Sequence, residues 1–258
     1  MSLSVCCFSS TGLELLNTLV RQNAKIATIF TSSADSEEII SEIKKISESI
    51  QANFIYLDAN YEPSKQVLAN CCEKNIDILL LLWWPHILKN KVIDEFEYIV
   101  NLHPSLLPFG RGKYGYFWSL IHNEPFGATL HLVDEGIDSG KILAQKHVAK
   151  TSILTGEQLY LKGVIACKSL FEEEIMNIVN NLEINILPKN ELDTAIKGSY
   201  HSKKSYLEFC SQMNNKKHTI YEAITYLKAR TFESGHSFKF TEDGKTYECH
   251  LSLRELAN

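Results

Sequence analysis

Along the first half of the chain, apolar and polar positions alternate between two periods. Short apolar runs, each only a few residues long, read as strands at Leu3–Ser9, Lys25–Thr31, Phe54–Leu57, Asp77–Trp83 and Tyr98–Leu102. Between them the apolar positions recur every three to four residues. That spacing predicts helices over Gly12–Gln22, Ser36–Ser49 and Ser64–Asn75. In the second of these, Ile39, Ile43, Ile46 and Ile50 form the apolar stripe. Asp77–Trp83 is almost continuously apolar, as expected of a central parallel strand covered on both faces. Strand and helix in alternation define a doubly wound α/β sheet.

Beyond residue 110 the pattern predicts a helix near Tyr116–His122, a β pair from Ala128–Val133 and Lys141–Val148, and a long helix over Gly156–Asn180. Glu183–Ser205 is polar and punctuated by Pro188 and Gly198, which reads as a linker or irregular crossing. A helix near Thr219–Arg230 follows, then two strands, Ser237–Thr241 and Thr246–Leu251, joined at Asp243-Gly244, a good hairpin signal. The expected architecture is a Rossmann-like α/β core over residues 1–185 and a small α+β tail over 186–258.

Composition narrows the function classes. The chain has 258 residues, is 45% hydrophobic and 22% charged, and carries a formal net charge of −5. These are the proportions of a globular protein, and the negative balance argues against a nucleic-acid partner. No apolar run is long enough to span a bilayer, so no membrane partner is expected. The N-terminus shows no basic leader with an apolar stretch, which points to the cytoplasm. The seven cysteines include two adjacent pairs, Cys6-Cys7 and Cys71-Cys72, rather than spaced zinc-type pairs, and read as reduced, packed thiols. No His, Cys or carboxylate cluster has metal-ligand spacing along the chain, so no metal is expected.

Ligands of doubly wound sheets lie outside the carboxyl ends of the strands. Here those ends are Ser9-Ser10-Thr11, Trp84-Pro85 and His103-Pro104. The first βα turn holds one glycine and is no dinucleotide fingerprint. The chemistry concentrates in Asn101-Leu102-His103-Pro104-Ser105-Leu106-Leu107-Pro108 and in Asp134-Glu135-Gly136-Ile137-Asp138-Ser139-Gly140. Moving an acyl group onto an amine needs donors for the tetrahedral oxyanion and an exit for the amine's proton. Asn101 donates without changing charge. His103 donates when protonated or accepts when neutral. Asp138 orients His103 and favours its charged form, or relays a proton through water. Asn101 and His103 are two apart at a strand end and so share a face. His131 alternates with apolar neighbours on a strand and reads as a structural histidine.

These stretches resemble the 10-formyltetrahydrofolate-dependent formyltransferases, whose hallmark reads Asn-x-His, then Ser-Leu-Leu-Pro, then a downstream Asp-x-Gly turn. The resemblance implies that Asn101, His103 and Asp138 are the catalytic trio and that N10-formyltetrahydrofolate is the cosubstrate. Within the family, Arg111-Gly112-Lys113, Phe117-Trp118, Pro125–Thr129 and Gly198-Ser199-Tyr200-His201 look most similar to sugar-nucleotide N-formyltransferases. That implies a dTDP- or UDP-linked amino-deoxysugar as acceptor, destined for O-antigen, lipopolysaccharide or another surface glycan. The rivals are a methionyl-tRNA formyltransferase, whose C-terminal domain is larger and basic, and a catalytically silent folate- or nucleotide-binding module.

The resemblance also assigns the loop Trp84, Pro85 and Ile87 to the folate pocket, with Asp134 and Asp138 touching the same ligand. Lys113, Tyr114 and Trp118 are candidates for the acceptor's diphosphate, base and sugar. The alternatives are a solvated Lys113 and a helix packed by Phe117 and Trp118. The strand edges of the terminal hairpin suggest a homodimer.

Overall fold

In a computed structural model the described residues are 3–58, 77–181, 197–215, 217–233, 237–254 and 256. The helix expected over Ser64–Asn75, the pair Cys71-Cys72 and the expected boundary at 185/186 lie outside them.

The first half follows the hydrophobic pattern closely. It runs β1 (Leu3–Cys7), α1 (Ser9–Arg21), β2 (Ile26–Ser32), α2 (Glu37–Ser49), β3 (Asn53–Leu57), β4 (Ile78–Leu82), a single turn α3 (Asn90–Ile93) and β5 (Tyr98–His103). Ser36 caps α2 by accepting a hydrogen bond from the Ile39 amide, and Glu37 and Glu38 in the first turn favour the positive end of the helix. β1 and β4 are buried at every position. This is why both read as unbroken apolar runs rather than alternating ones.

Later come β6 (Arg111–Gly112), α4 (Gly115–Ile121), β7 (Gly127–Leu132), β8 (Ile142–His147) and the long α5 (Gly156–Asn180). The remaining elements are β9 (Tyr200–His201), α6 (Lys203–Asn215), α7 (Ile220–Ala229), β10 (Phe238–Glu242) and β11 (Lys245–Cys249). The central sheet has the order β3-β2-β1-β4-β5-β7-β8. Its first five strands pair in parallel, with Leu81 of β4 opposite Asn101 of β5. The strand order reverses between β1 and β4, the position where doubly wound sheets open a crevice at their carboxyl edge. α1 sits close against that edge: a Cβ at Gly12 would meet the Leu82 carbonyl at 2.5 Å. The first turn of α1 takes a carboxylate from the chain itself, with the Ser9 amide donating to Asp35 Oδ2 at 2.5 Å.

The chain divides into two compact units. The first comprises residues 1–103, 130–144 and 168–193. One of its cores joins Cys6, Phe30, Leu57, Leu79, Leu81, Val92 and Ile99, with Trp84 and Val133 packed at its margin. The second comprises 104–129, 145–167 and 194–258. Its interior is aromatic: Phe117 meets Trp118, Tyr206, Phe209 and Tyr226 edge-on. Edge-to-face contacts of this kind set positive ring edges against negative faces.

Two features of the second unit depart from the sequence pattern. Residues Lys203–Asn215 form a helix where the sequence suggested the end of a crossing and an unassigned stretch. Ser202 starts it, its hydroxyl accepting from the Ser205 amide. The two-residue strands β6 and β9 pair in parallel, Arg111 with Tyr200 and Gly112 with His201. The terminal hairpin forms as expected, with Asp243 and Gly244 both at positive φ. Among the described residues no helix is long and apolar enough to cross a membrane.

Candidate active site

β5 delivers Asn101 and His103 to the carboxyl edge of the sheet, and both meet the same neighbour, His131 of β7. The Asn101 amide nitrogen lies 3.1 Å from His131 Nε2. The His103 and His131 rings stand edge to face, with centroids 6.2 Å apart. His103 and His131 are both buried. The shared face expected from a spacing of two is therefore present.

Asp138 reaches the pair from the turn after β7. Its Oδ2 lies 3.6 Å from His103 Nδ1 and its Oδ1 3.7 Å from His131 Nε2. Both distances are too long for hydrogen bonds. Asp138 adopts φ 48°, a left-handed conformation that Asp tolerates better than most residues. Asp134 holds the turn: its Oδ1 accepts from the Gly136 amide at 3.0 Å and from the Ser139 hydroxyl at 2.7 Å. Gly140 closes it, because a Cβ there would collide with the Leu132 carbonyl.

His131 is 1% exposed, and its Nδ1 lies 2.8 Å from the Leu132 carbonyl oxygen. Burial pushes its pKa down to about 4, and the nearby His103 adds to the fall; Asp138 and the bond to Leu132 oppose it. His131 is therefore neutral near pH 7. A carbonyl accepts only, so Nδ1 carries the proton and Nε2 is the lone-pair acceptor. The Asn101 atom facing Nε2 must then be its NH2 group. One amide N–H is used on His131, and the second is available for an oxyanion. The sequence alone gave no sign of this, since a histidine among apolar strand residues looks like ordinary core.

The expected folate residues follow β4. Trp84 packs at the margin of the core in the first unit, edge-on to His86 with centroids 5.1 Å apart. Its indole nitrogen is buried with no hydrogen-bond partner among the described residues. Pro85 is exposed, and Ile87 is 72% exposed. Because Leu81 pairs with Asn101, the Trp84 loop leaves the same sheet edge as His103. Trp84, Pro85, Ile87, Asp134 and Asp138 thus all belong to the unit that carries the trio.

Lys113, Tyr114 and Trp118 fall in the second unit. Lys113 is exposed, and its amide donates to the His201 carbonyl. Tyr114 caps α4 at φ 62° and stacks on Tyr206 with centroids 4.1 Å apart. Trp118 is 3% exposed and stacks on His201. Packing thus engages both aromatic rings, while the lysine head is open to solvent.

The protein is thus of the doubly wound α/β class, with an Asn, a His and an Asp gathered at the carboxyl edge of its sheet. The family model described as "Formyl transferase" matches residues 9–175. The chain belongs to that formyltransferase family. A methionyl-tRNA formyltransferase from Finegoldia magna is 26% identical over 149 residues, covering 57% of this chain and 46% of its own length. The chain spans less than half the length of the curated relatives it matches first. Among solved structures, a sugar N-formyltransferase from Shewanella sp. superposes with TM-score 0.76 at 19% identity, covering 100% of this chain and 99% of its own. An N-formyltransferase from Helicobacter canadensis, in complex with folinic acid and dTDP-3-aminofucose, gives TM-score 0.65 at 20% identity, covering 90% and 81%. At these identities the superpositions speak for the fold.

Proposed function

We propose that this chain transfers the formyl group of N10-formyltetrahydrofolate to the amine of a nucleotide-linked amino-deoxysugar of the dTDP type. The observation that carries the reading is the gathering of Asn101, His103 and Asp138 around a buried, neutral His131. The neutral amine attacks the formyl carbon and forms the new C–N bond. The tetrahedral oxyanion takes hydrogen bonds from the second Asn101 N–H and from an N–H of His103. The Asp138 carboxylate lies 3.6 Å from His103 Nδ1 and fixes the side of the ring that faces the turn. The amine's surplus proton leaves on the Asp138 side through water. The bond to N10 then breaks, and N10 departs with a proton as tetrahydrofolate.

Trp84, Pro85, Ile87, Asp134 and Asp138 are assigned to the folate, and Lys113, Tyr114 and Trp118 to the acceptor. The sugar reading draws support from likeness to a sugar N-formyltransferase over the full length of both chains. The folate reading draws on the complex of the Helicobacter canadensis protein with folinic acid. The negative net charge supports a small acceptor over tRNA. The product would serve surface-glycan synthesis in the cytoplasm. A homodimer joined through the β10–β11 hairpin belongs to the same reading, on the strength of its exposed, stacked Phe240 and Tyr247. The curated relatives favour methionyl-tRNA as the second reading.

His103→Asn tests the chemistry. Folate affinity, followed by intrinsic fluorescence, should stay within a few-fold of wild type while formyl transfer disappears. Full turnover by this variant would refute the assigned mechanism. Wild-type binding without any turnover would instead favour a silent binding module.

A further inference from the structure

Outside the trio, one group of side chains gathers that the chain order conceals. α4 ends at Ile121, and His122 and Glu124 follow. The pairing of β6 with β9 returns His201 to the same place. One ligand atom from each of His122, Glu124 and His201 lies within 4.8 Å of the other two. All three belong to the second unit.

Each donor is prepared. The His201 ring stacks on Trp118 at a centroid distance of 4.0 Å and an interplanar angle of 11°, which fixes its plane. Its Nε2 is buried and has no hydrogen-bond partner among the described residues. Glu124 Oε2 accepts from the Ser199 hydroxyl at 2.7 Å. That hydroxyl also accepts from the Gly110 amide at 2.8 Å. The carboxylate is thereby held with Oε1 turned toward His122 Nδ1, 3.9 Å away. That distance is too long for a hydrogen bond and suits two ligands about a shared ion. Lys150 is close by, but its ammonium donates to the Ser119 carbonyl and hydroxyl and to the Glu124 main-chain carbonyl.

We propose that His122, Glu124 and His201 bind a divalent transition-metal ion of the zinc class. Two imidazoles and a carboxylate are a borderline N/O donor set of the kind zinc takes, with water completing the coordination. Ligand bonds of about 2.0–2.2 Å bring tetrahedral donors to roughly 3.3–3.6 Å from one another. His122 is exposed and can swing inward to reach that spacing. The ion fastens β9 to the end of α4. The proposal departs from the sequence expectation of no metal, because the third ligand comes from a residue distant in the chain. It is independent of the formyl-transfer reading.

The test uses the full-length, tag-free chain, stripped by a chelator and titrated with zinc or cobalt(II) alone. One ion should bind per chain, the cobalt form should show the visible absorption of an N/O site, and the melting temperature should rise with zinc. His122→Gln, at an exposed position, and Glu124→Gln should each weaken binding by about tenfold or more. Circular dichroism of the metal-free variants separates lost binding from lost folding. Absence of saturable binding at one ion per chain would overturn the site. So would affinity unchanged in both folded variants, since the ion would then sit elsewhere.

Discussion

His131 is the residue on which the geometry of the trio depends. It contributes a lone pair to Asn101 and shows nearly zero exposure. Removing it as His131→Ala frees the Asn101 amide to rotate, and kcat should fall by about 10- to 100-fold, as with partners that orient a working group. Asn101→Ala removes the proposed oxyanion donor itself and should cost about 10²–10³ in kcat. A His131→Ala enzyme with wild-type kcat would mean that Asn101 is held by something else. His131 also links stability to pH. Its pKa falls from 6.5 to about 4 on folding, so between those values the unfolded chain binds more protons than the native one. The stabilising contribution is complete above pH 6.5 and is lost as pH falls toward about 4. Urea unfolding of wild type and His131→Phe across this window should show the wild type losing stability more steeply. Parallel curves would argue against a buried neutral imidazole.

Among the elements, the Asp138 turn and the caps of the helices carry separable effects. Gly140→Ala drives a methyl group into the Leu132 carbonyl. It should cost about 1–3 kcal/mol of stability and reduce turnover through displacement of Asp138. Thr219 forms a capping box with Glu222 at the start of α7. Thr219→Ala should cost about 1 kcal/mol, measured by denaturant unfolding. The elements also show what a sequence can disclose. Strands β1, β2, β4 and β5 were legible because burial on both faces leaves long apolar runs. α6 was hidden because Tyr206 and Cys210 are its clearly buried apolar positions, while Leu207 faces solvent. So narrow a stripe looks polar in a sliding reading. β6 and β9 are two residues each, too short for any period.

For the molecule as a whole, the three residues proposed as the trio could be picked out because they sit in short motifs at strand ends and in one glycine-bounded turn, and the structure brings them together. His131 as the partner of Asn101, and the meeting of His122 and Glu124 with His201, were not legible, since each depends on strands pairing across long sequence separations. The acceptor belongs to this scale too. A tRNA substrate held by six to ten phosphate contacts would lose about 10³–10⁵ in affinity between about 50 and 200 mM salt. A sugar nucleotide makes few such contacts, so kcat/KM should change only a few-fold over that range. The most direct measurement is mass spectrometry of purified protein given N10-formyltetrahydrofolate and a panel of acceptors: dTDP-3-amino and dTDP-4-amino sugars, UDP-amino sugars and charged methionyl-tRNA. The account predicts gain of one formyl group on a dTDP-amino sugar, lost in Asn101→Ala and His103→Asn. Formylation of methionyl-tRNA alone, or of no acceptor, would contradict it.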